Sequence, residues 1–144
     1  MPSTDHPGVL TPSQIADLQQ QATSVALNAY APYSNFRVGA AVLLDNGVIV
    51  TGCNVENASY RLTTCAEQSA IAAAVSQHGS TIRIRAIAIA NLNNTASQPC
   101  GACRQTIAEF APPTATIIFP APTGPATTTL ADLLPAAFVL NSPL

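Results

Sequence analysis

Arg37-Val38-Gly39-Ala40-Ala41-Val42-Leu43-Leu44-Asp45-Asn46-Gly47-Val48-Ile49-Val50-Thr51-Gly52-Cys53 holds two apolar, β-branched segments on either side of an Asp-Asn-Gly break. The Asn-Gly pair favours a tight hairpin turn, so residues 37–44 and 48–53 are expected to pair antiparallel. Upstream, Thr11-Pro12-Ser13-Gln14 offers an N-cap, a proline at the first helical position and a Gln three residues on. Ile15, Leu18, Ala22, Val25 and Ala29 follow at helical spacing, and this helix must end before Pro32. Downstream, the Ala-rich run from Cys65 to about Gln77 predicts a second helix closed by His78-Gly79. Residues 82–90 read as a central strand, 100–110 as a third helix stopped by Pro112-Pro113, 115–119 as a short strand and 130–134 as a short helix. Residues 137–140 either add a last strand or pack as an apolar tail, while 1–10 and the Pro/Thr-rich 120–129 are read as loose. The order helix, hairpin, helix, strand, helix, strand predicts a single α/β domain over residues 1–144, with helices on the faces of a mixed sheet.

Composition narrows the class of partner. Hydrophobic residues make up 48% of the 144 and charged residues 8%, sparse cover for a monomer, so part of the surface is expected to be buried between subunits. The net charge is -2 and all the basic residues are arginines, Arg37, Arg61, Arg83, Arg85 and Arg104. They form no basic stripe, which argues against a polynucleotide partner. The N-terminus lacks a basic n-region and an apolar h-region, and no apolar run is long enough to span a membrane, so a cytoplasmic location is expected. Thiols stay reduced there, and four cysteines then point to a metal site with one bystander rather than to two disulfides.

The candidate ligands are Cys65, at the head of the second helix, and Cys100 and Cys103 in Pro99-Cys100-Gly101-Ala102-Cys103, at the head of the third. Two helix N-termini aimed at one point would offset part of the charge of three thiolates. A thiolate triad leaves tetrahedral Zn²⁺ one position short, as in a catalytic rather than a structural site, and water would fill it. Glu67 lies two residues after Cys65, suited to hydrogen-bonding that water and carrying its proton to a substrate nitrogen, the arrangement of zinc deaminases. Thr64-Cys65-Ala66-Glu67 also satisfies a capping box, which would make Glu67 a structural cap. Cys53 would close the site as a fourth thiol; its isolation from the other three favours a buried small hydrophobe. His6 and His78 read as terminal and helix-end residues.

Ala31-Pro32-Tyr33-Ser34, Phe36, Val38-Gly39-Ala40-Ala41, Gly52-Cys53-Asn54-Val55-Glu56-Asn57-Ala58, Cys65-Ala66-Glu67 and Pro99-Cys100-Gly101-Ala102-Cys103-Arg104-Gln105 follow one another along the chain. In these motifs and their order the chain resembles the small homotetrameric cytidine deaminases. The resemblance implies a three-layer α/β/α sandwich around a five-stranded mixed sheet, and hydrolytic deamination of cytidine and 2'-deoxycytidine to uridine and 2'-deoxyuridine. It implies one Zn²⁺ per chain on Cys65, Cys100 and Cys103, with Glu67 as proton shuttle. Asn54 and Glu56 would hold the ribose 3'-hydroxyl, Phe36 would pack on the nucleoside, and the Ala66 N–H would meet the base carbonyl. Neighbouring subunits of a homotetramer would supply Ala58, Tyr60 and Phe138. One position departs from the pattern: where three-cysteine members carry Arg after the catalytic Glu, this chain has Gln68, which can donate to sulfur but cannot cancel charge. Arg61, in a segment usually neutral, reads as a solvated surface residue. Two other readings remain open, a deaminase of modified cytidines or another aminopyrimidine nucleoside, and a catalytically silent zinc-stabilised scaffold.

Overall fold

The computed structural model describes residues 9–140; His6 and most of the loose N-terminal segment lie outside them. Helix α1 (Pro12–Ala26) starts with the expected capping box, Gln14 N–H donating to Thr11 Oγ1 at 3.1 Å and Thr11 N–H to Gln14 Oε1 at 2.9 Å. Strands β1 (Val38–Leu44) and β2 (Ile49–Cys53) form the expected antiparallel hairpin. Gly47 takes φ +89°, the left-handed conformation that the turn demands and glycine supplies without strain. A 3-10 turn at Tyr60–Leu62 leads to α2 (Ala66–His78), then β3 (Ile84–Asn91), α3 (Gly101–Phe110), β4 (Thr116–Ala121), β5 (Gly124–Thr129) and α4 (Leu130–Leu133).

The sheet order is β2-β1-β3-β4-β5, with β3 and β4 parallel and the other neighbours antiparallel. It is therefore a five-stranded mixed sheet. Leu18 and Ala22 of α1 pack with Ala41, Leu43, Ala86, Ala88 and Ile118 on one face. On the other, α2, α3 and α4 contribute Ala70, Ile71, Ala74, Ile107 and Leu130 to a core with Val42, Ile87 and Ile117. The three layers α/β/α follow from these two clusters.

Two glycines set how closely the layers approach. A Cβ on Gly39 would stand 2.0 Å from the Ala22 carbonyl oxygen of α1, and one on Gly52 would stand 2.3 Å from the Ala70 nitrogen of α2. Bare backbone at these points lets helix rest directly on strand.

The Pro/Thr-rich segment is not loose. Residues 124–129 pair with β4 as an edge strand, with Pro120 opposite Pro125 and Thr127, Thr128 and Thr129 opposite Ile118, Ile117 and Thr116. β-branched threonines suit an edge, and a proline there need not donate to the ladder. Nor do residues 137–140 form a strand: Phe138, Val139 and Leu140 are exposed. Leu10 packs against the α1-side cluster and Val9 accepts a hydrogen bond from Arg85 Nη2, so the N-terminal segment is docked by that point.

Candidate metal centre and nucleoside cavity

The topology brings the cysteines together. β1 is antiparallel to both β2 and β3, so β2 and β3 run the same way and end at the same side of the sheet. α2 follows β2 and α3 follows β3, both on the face away from α1. Their N-termini therefore emerge side by side, the usual place for a site in an α/β sheet. Cys65 is the N-cap of α2 and Cys100 the N-cap of α3, with Cys103 one turn further on. The three Sγ atoms all lie within 4.8 Å of one another, and Cys100 and Cys103 are 3.3 Å apart. Sulfurs on a tetrahedral zinc stand about 3.8 Å apart, so this donor set fits Zn²⁺. Three thiols beside a carboxyl resist full ionisation without a compensating cation, which such an ion provides.

The thiols are hydrogen-bonded to one another. Cys65 is lowered to about 7, first by its hydrogen bond with Cys103 and against both burial and the Glu67 charge. Cys103 is pushed far up, first by that same bond and then by burial. Cys53 stands apart. It pairs across the hairpin with Gly39, whose absent side chain would point into α1, so Cys53 lies on the α1 side with the sheet between it and the cluster. It is half-buried rather than fully buried, and burial raises its thiol.

Glu67 is not the capping residue. The N-cap is Cys65, one residue later than the Thr64 reading, and the reciprocal partner is Gln68, whose Oε1 accepts from the Cys65 N–H at 3.3 Å. This leaves the Glu67 carboxyl, 4% exposed, free to face the thiols. Burial pushes its pKa up, while hydrogen bonds from Cys103 and from its own backbone oppose the shift. A carboxyl so placed is held toward its neutral form by burial.

Beside the cluster opens a cavity of about 320 Å³, lined among others by Phe36, Asn54, Glu56, Cys65, Ala66 and Glu67. That volume lies at the small-ligand end of binding pockets. Asn54 is buried and bridges Phe36 O and Val38 N–H at 2.8 and 2.9 Å, which fixes Phe36 at the wall. Glu56 accepts from the Ser34 hydroxyl and from the Tyr33 and Ser34 N–H groups. The Ser34 hydroxyl first, then these N–H groups, hold its carboxyl below the usual carboxylate range against a desolvation penalty. The backbone between them is pinned, Val55 exchanging hydrogen bonds with Thr64 while Glu56 N–H donates to Tyr30 O.

Ala58, Tyr60 and Phe138 do not line this cavity; all three are exposed, Tyr60 by 77% and Phe138 by 71%. Gln105 grips the Phe138 backbone in both directions, at 2.9 and 3.3 Å. Arg61 is exposed in the 3-10 turn, and His78 is exposed at the end of α2. Sequence reasoning missed Ser34, Thr63, Ser97 and Gln98 in the lining. The last two had a signal in their adjacency to Pro99-Cys100, because a chain entering a metal ligand must pass the metal's surroundings.

The family model for the cytidine and deoxycytidylate deaminase zinc-binding region matches residues 12–119. The chain is 44% identical over 124 residues to a cytidine deaminase of Mycobacterium tuberculosis, covering 86% of this chain and 89% of that one. A crystal structure of cytidine deaminase from the same organism superimposes with a TM-score of 0.76 at 44% identity, over 88% of this chain and 98% of that one. One from Burkholderia pseudomallei gives 0.78 at 39% identity, over 90% and 100%. With a matching sheet, a thiol triad at paired helix heads and these relatives, the chain belongs to the cytidine and deoxycytidylate deaminase family.

Proposed function

We propose that the protein catalyses zinc-dependent hydrolytic deamination of cytidine and 2'-deoxycytidine, releasing ammonia and leaving uridine and 2'-deoxyuridine. The observation that carries this reading is Glu67: a buried carboxyl beside three thiols, relieved of the capping role by Gln68. Folding alone would not require it there.

Cys65, Cys100 and Cys103 would hold Zn²⁺, which when bound lowers the pKa of a coordinated water and so supplies the nucleophile. Glu67 would carry two protons in turn, the first from the attacking water to the pyrimidine ring nitrogen, where uridine keeps it, and the second from the resulting hydroxyl to the departing amine, which leaves as ammonia. Its burial raises the pKa and so favours the first half of each transfer, acceptance of a proton. The Ala66 N–H is at the first position of α2, without an intrahelical acceptor, and would donate to the base carbonyl. Phe36 packs against the nucleoside. Asn54 and Glu56 take the sugar 3'-hydroxyl with the acceptor and donor capacity left over from their own bonds.

A homotetramer in the cytoplasm accompanies this reading. The exposure of Tyr30, Tyr33, Val55, Tyr60 and Leu62, on a chain with 8% charged residues, supports burial between subunits. There Ala58, Tyr60 and Phe138 would complete neighbouring sites. The whole of residues 1–144 acts as one catalytic domain in this proposal.

The test is loss of the cytidine absorbance band on mixing with zinc-quantified protein, beside Glu67→Ala. About one Zn²⁺ per chain, conversion by the wild type and none by a zinc-loaded Glu67→Ala is the expected result. Zinc binding with cytidine and deoxycytidine both untouched would overturn the substrate assignment and leave a modified pyrimidine or a silent scaffold.

A further inference from the structure

Arg104 follows Cys103 on α3, and nothing derived above uses it. Its guanidinium donates in three directions, Nε to the Pro99 carbonyl, Nη1 to the Leu133 carbonyl at the end of α4, and Nη2 to Gln98 Oε1, each at 2.9 Å. The recipients connect it to the cavity. Ser97 and Gln98 line the wall beside Cys100, at the end of residues 92–99, a connection with neither helix nor strand. The Ser97 N–H donates to Pro120 O at 2.9 Å, tying the same wall to β4.

We infer that Arg104 is a positioning residue for substrate: it fixes the Ser97-Gln98 wall of the cavity to α3 and α4, and so sets the fit of the nucleoside beside Cys100. The inference rests on the proposed deaminase function. A guanidinium presents its donors in a rigid planar fork, so one side chain can hold three acceptors that belong to different segments; a lysine ammonium on a flexible stem cannot reproduce that geometry. Cys65 and Glu67 belong to α2 and its N-cap, which carry none of the three acceptors. Loosening the wall should therefore weaken nucleoside binding and largely spare the proton transfer at Glu67.

The experiment compares wild type, Arg104→Lys, Arg104→Gln and Gln98→Ala, each zinc-loaded, by zinc content, cytidine KM and kcat, and deuterium uptake of residues 92–98. Expected are unchanged zinc content, a KM raised about tenfold in both Arg104 variants with kcat within about threefold, and faster uptake in 92–98. Gln98→Ala removes one acceptor of the three and should raise KM less. An unchanged KM, with or without lower thermal stability, would make Arg104 merely structural and overturn the inference. Zinc loss in step with the KM change would assign it to the metal cluster instead, also overturning it. If wild type fails to convert cytidine, the function reading falls and uptake alone decides: equal uptake in wild type and Arg104→Lys refutes the clamp, and faster uptake upholds it. Should Arg104→Gln not fold, Arg104→Lys and Gln98→Ala carry the comparison.

Discussion

A single methyl group added at Gly52 probes the placement of helix on sheet that brings the thiols together. The new Cβ would stand 2.3 Å from the Ala70 nitrogen, 2.7 Å from the Ala70 Cα and 2.8 Å from the Ser69 carbonyl carbon, where ordinary contact begins at 3.4 Å. All three neighbours are backbone, so no side chain can swing aside and α2 must lift from β2 by about 1 Å. Overpacking on this scale costs about 2 kcal/mol, which for a chain of this length lowers Tm by roughly 6 °C. The metal cluster should suffer more than the fold. Cys65 rides on α2 while Cys100 and Cys103 ride on α3, and zinc sites tolerate errors in ligand distance of about 0.2 Å. Gly39→Ala is the control, because its Cβ would collide with the Ala22 carbonyl oxygen at 2.0 Å on the opposite face, against a helix that carries no ligand. Competition for zinc with a chromogenic chelator, at matched folded fraction, is the assay. Gly52→Ala should bind zinc about tenfold more weakly than wild type, and Gly39→Ala within about twofold of it, although both lose stability. Equal zinc affinity in the two variants would refute the reasoning.

The other predictions concern single side chains. Cys100→Ser should lose stoichiometric zinc whereas Cys53→Ser keeps it, by direct metal analysis of the purified proteins, since Cys53 lies across the sheet from the cluster. Glu56 has a folded pKa below its unfolded one, so it stabilises the fold above the unfolded pKa and loses that contribution as pH falls through the folded value. The Tm of wild type should therefore fall more steeply than that of Glu56→Gln on acidification below about pH 4.5, and parallel curves would show that the Ser34 and Tyr33 contacts add nothing. Gln68→Arg brings a positive charge beside three thiolates while giving up the acceptor that holds the Cys65 N–H. Zinc retention against a chelator is expected to rise, and unchanged retention would remove residue 68 from the charge balance of the site.

The hairpin was legible because Asn46-Gly47 declares its turn chemistry and the flanking segments are apolar without interruption. The first helix was legible to the residue at its start, since the capping box is a local device written in four adjacent positions. β5 was not, because prolines dominate its local signal and the pairing that makes it a strand comes from β4 across a tight turn. The thiol cluster could be anticipated from cysteines at two helix heads, but their convergence depends on β2 and β3 running parallel with β1 between them, which spacing alone does not encode. Whether Glu67 capped the helix or faced the thiols turned on a shift of one residue in the N-cap, finer than any propensity can resolve. The wall at Ser97 and Gln98 had one local signal, its place just before Pro99-Cys100, but its anchoring had none: Arg104 on the next helix bonds to Gln98 and to the Pro99 carbonyl, and the segment has no periodicity of its own.

The proline pair at the sheet's end has a consequence for colloidal behaviour. The Pro120 carbonyl bonds to Ser97 rather than to β5, so at the Pro120–Pro125 pair the backbone polar groups of the two strands point away from each other, and those of Pro125 face outward. An incoming strand would meet an acceptor there but no donor. Lysine is a common guard of such a margin, and this chain has none and carries few charges of any kind. At that position strand addition is thus opposed by stereochemistry rather than by charge, independently of salt and pH, and Pro125→Val would restore the missing donor.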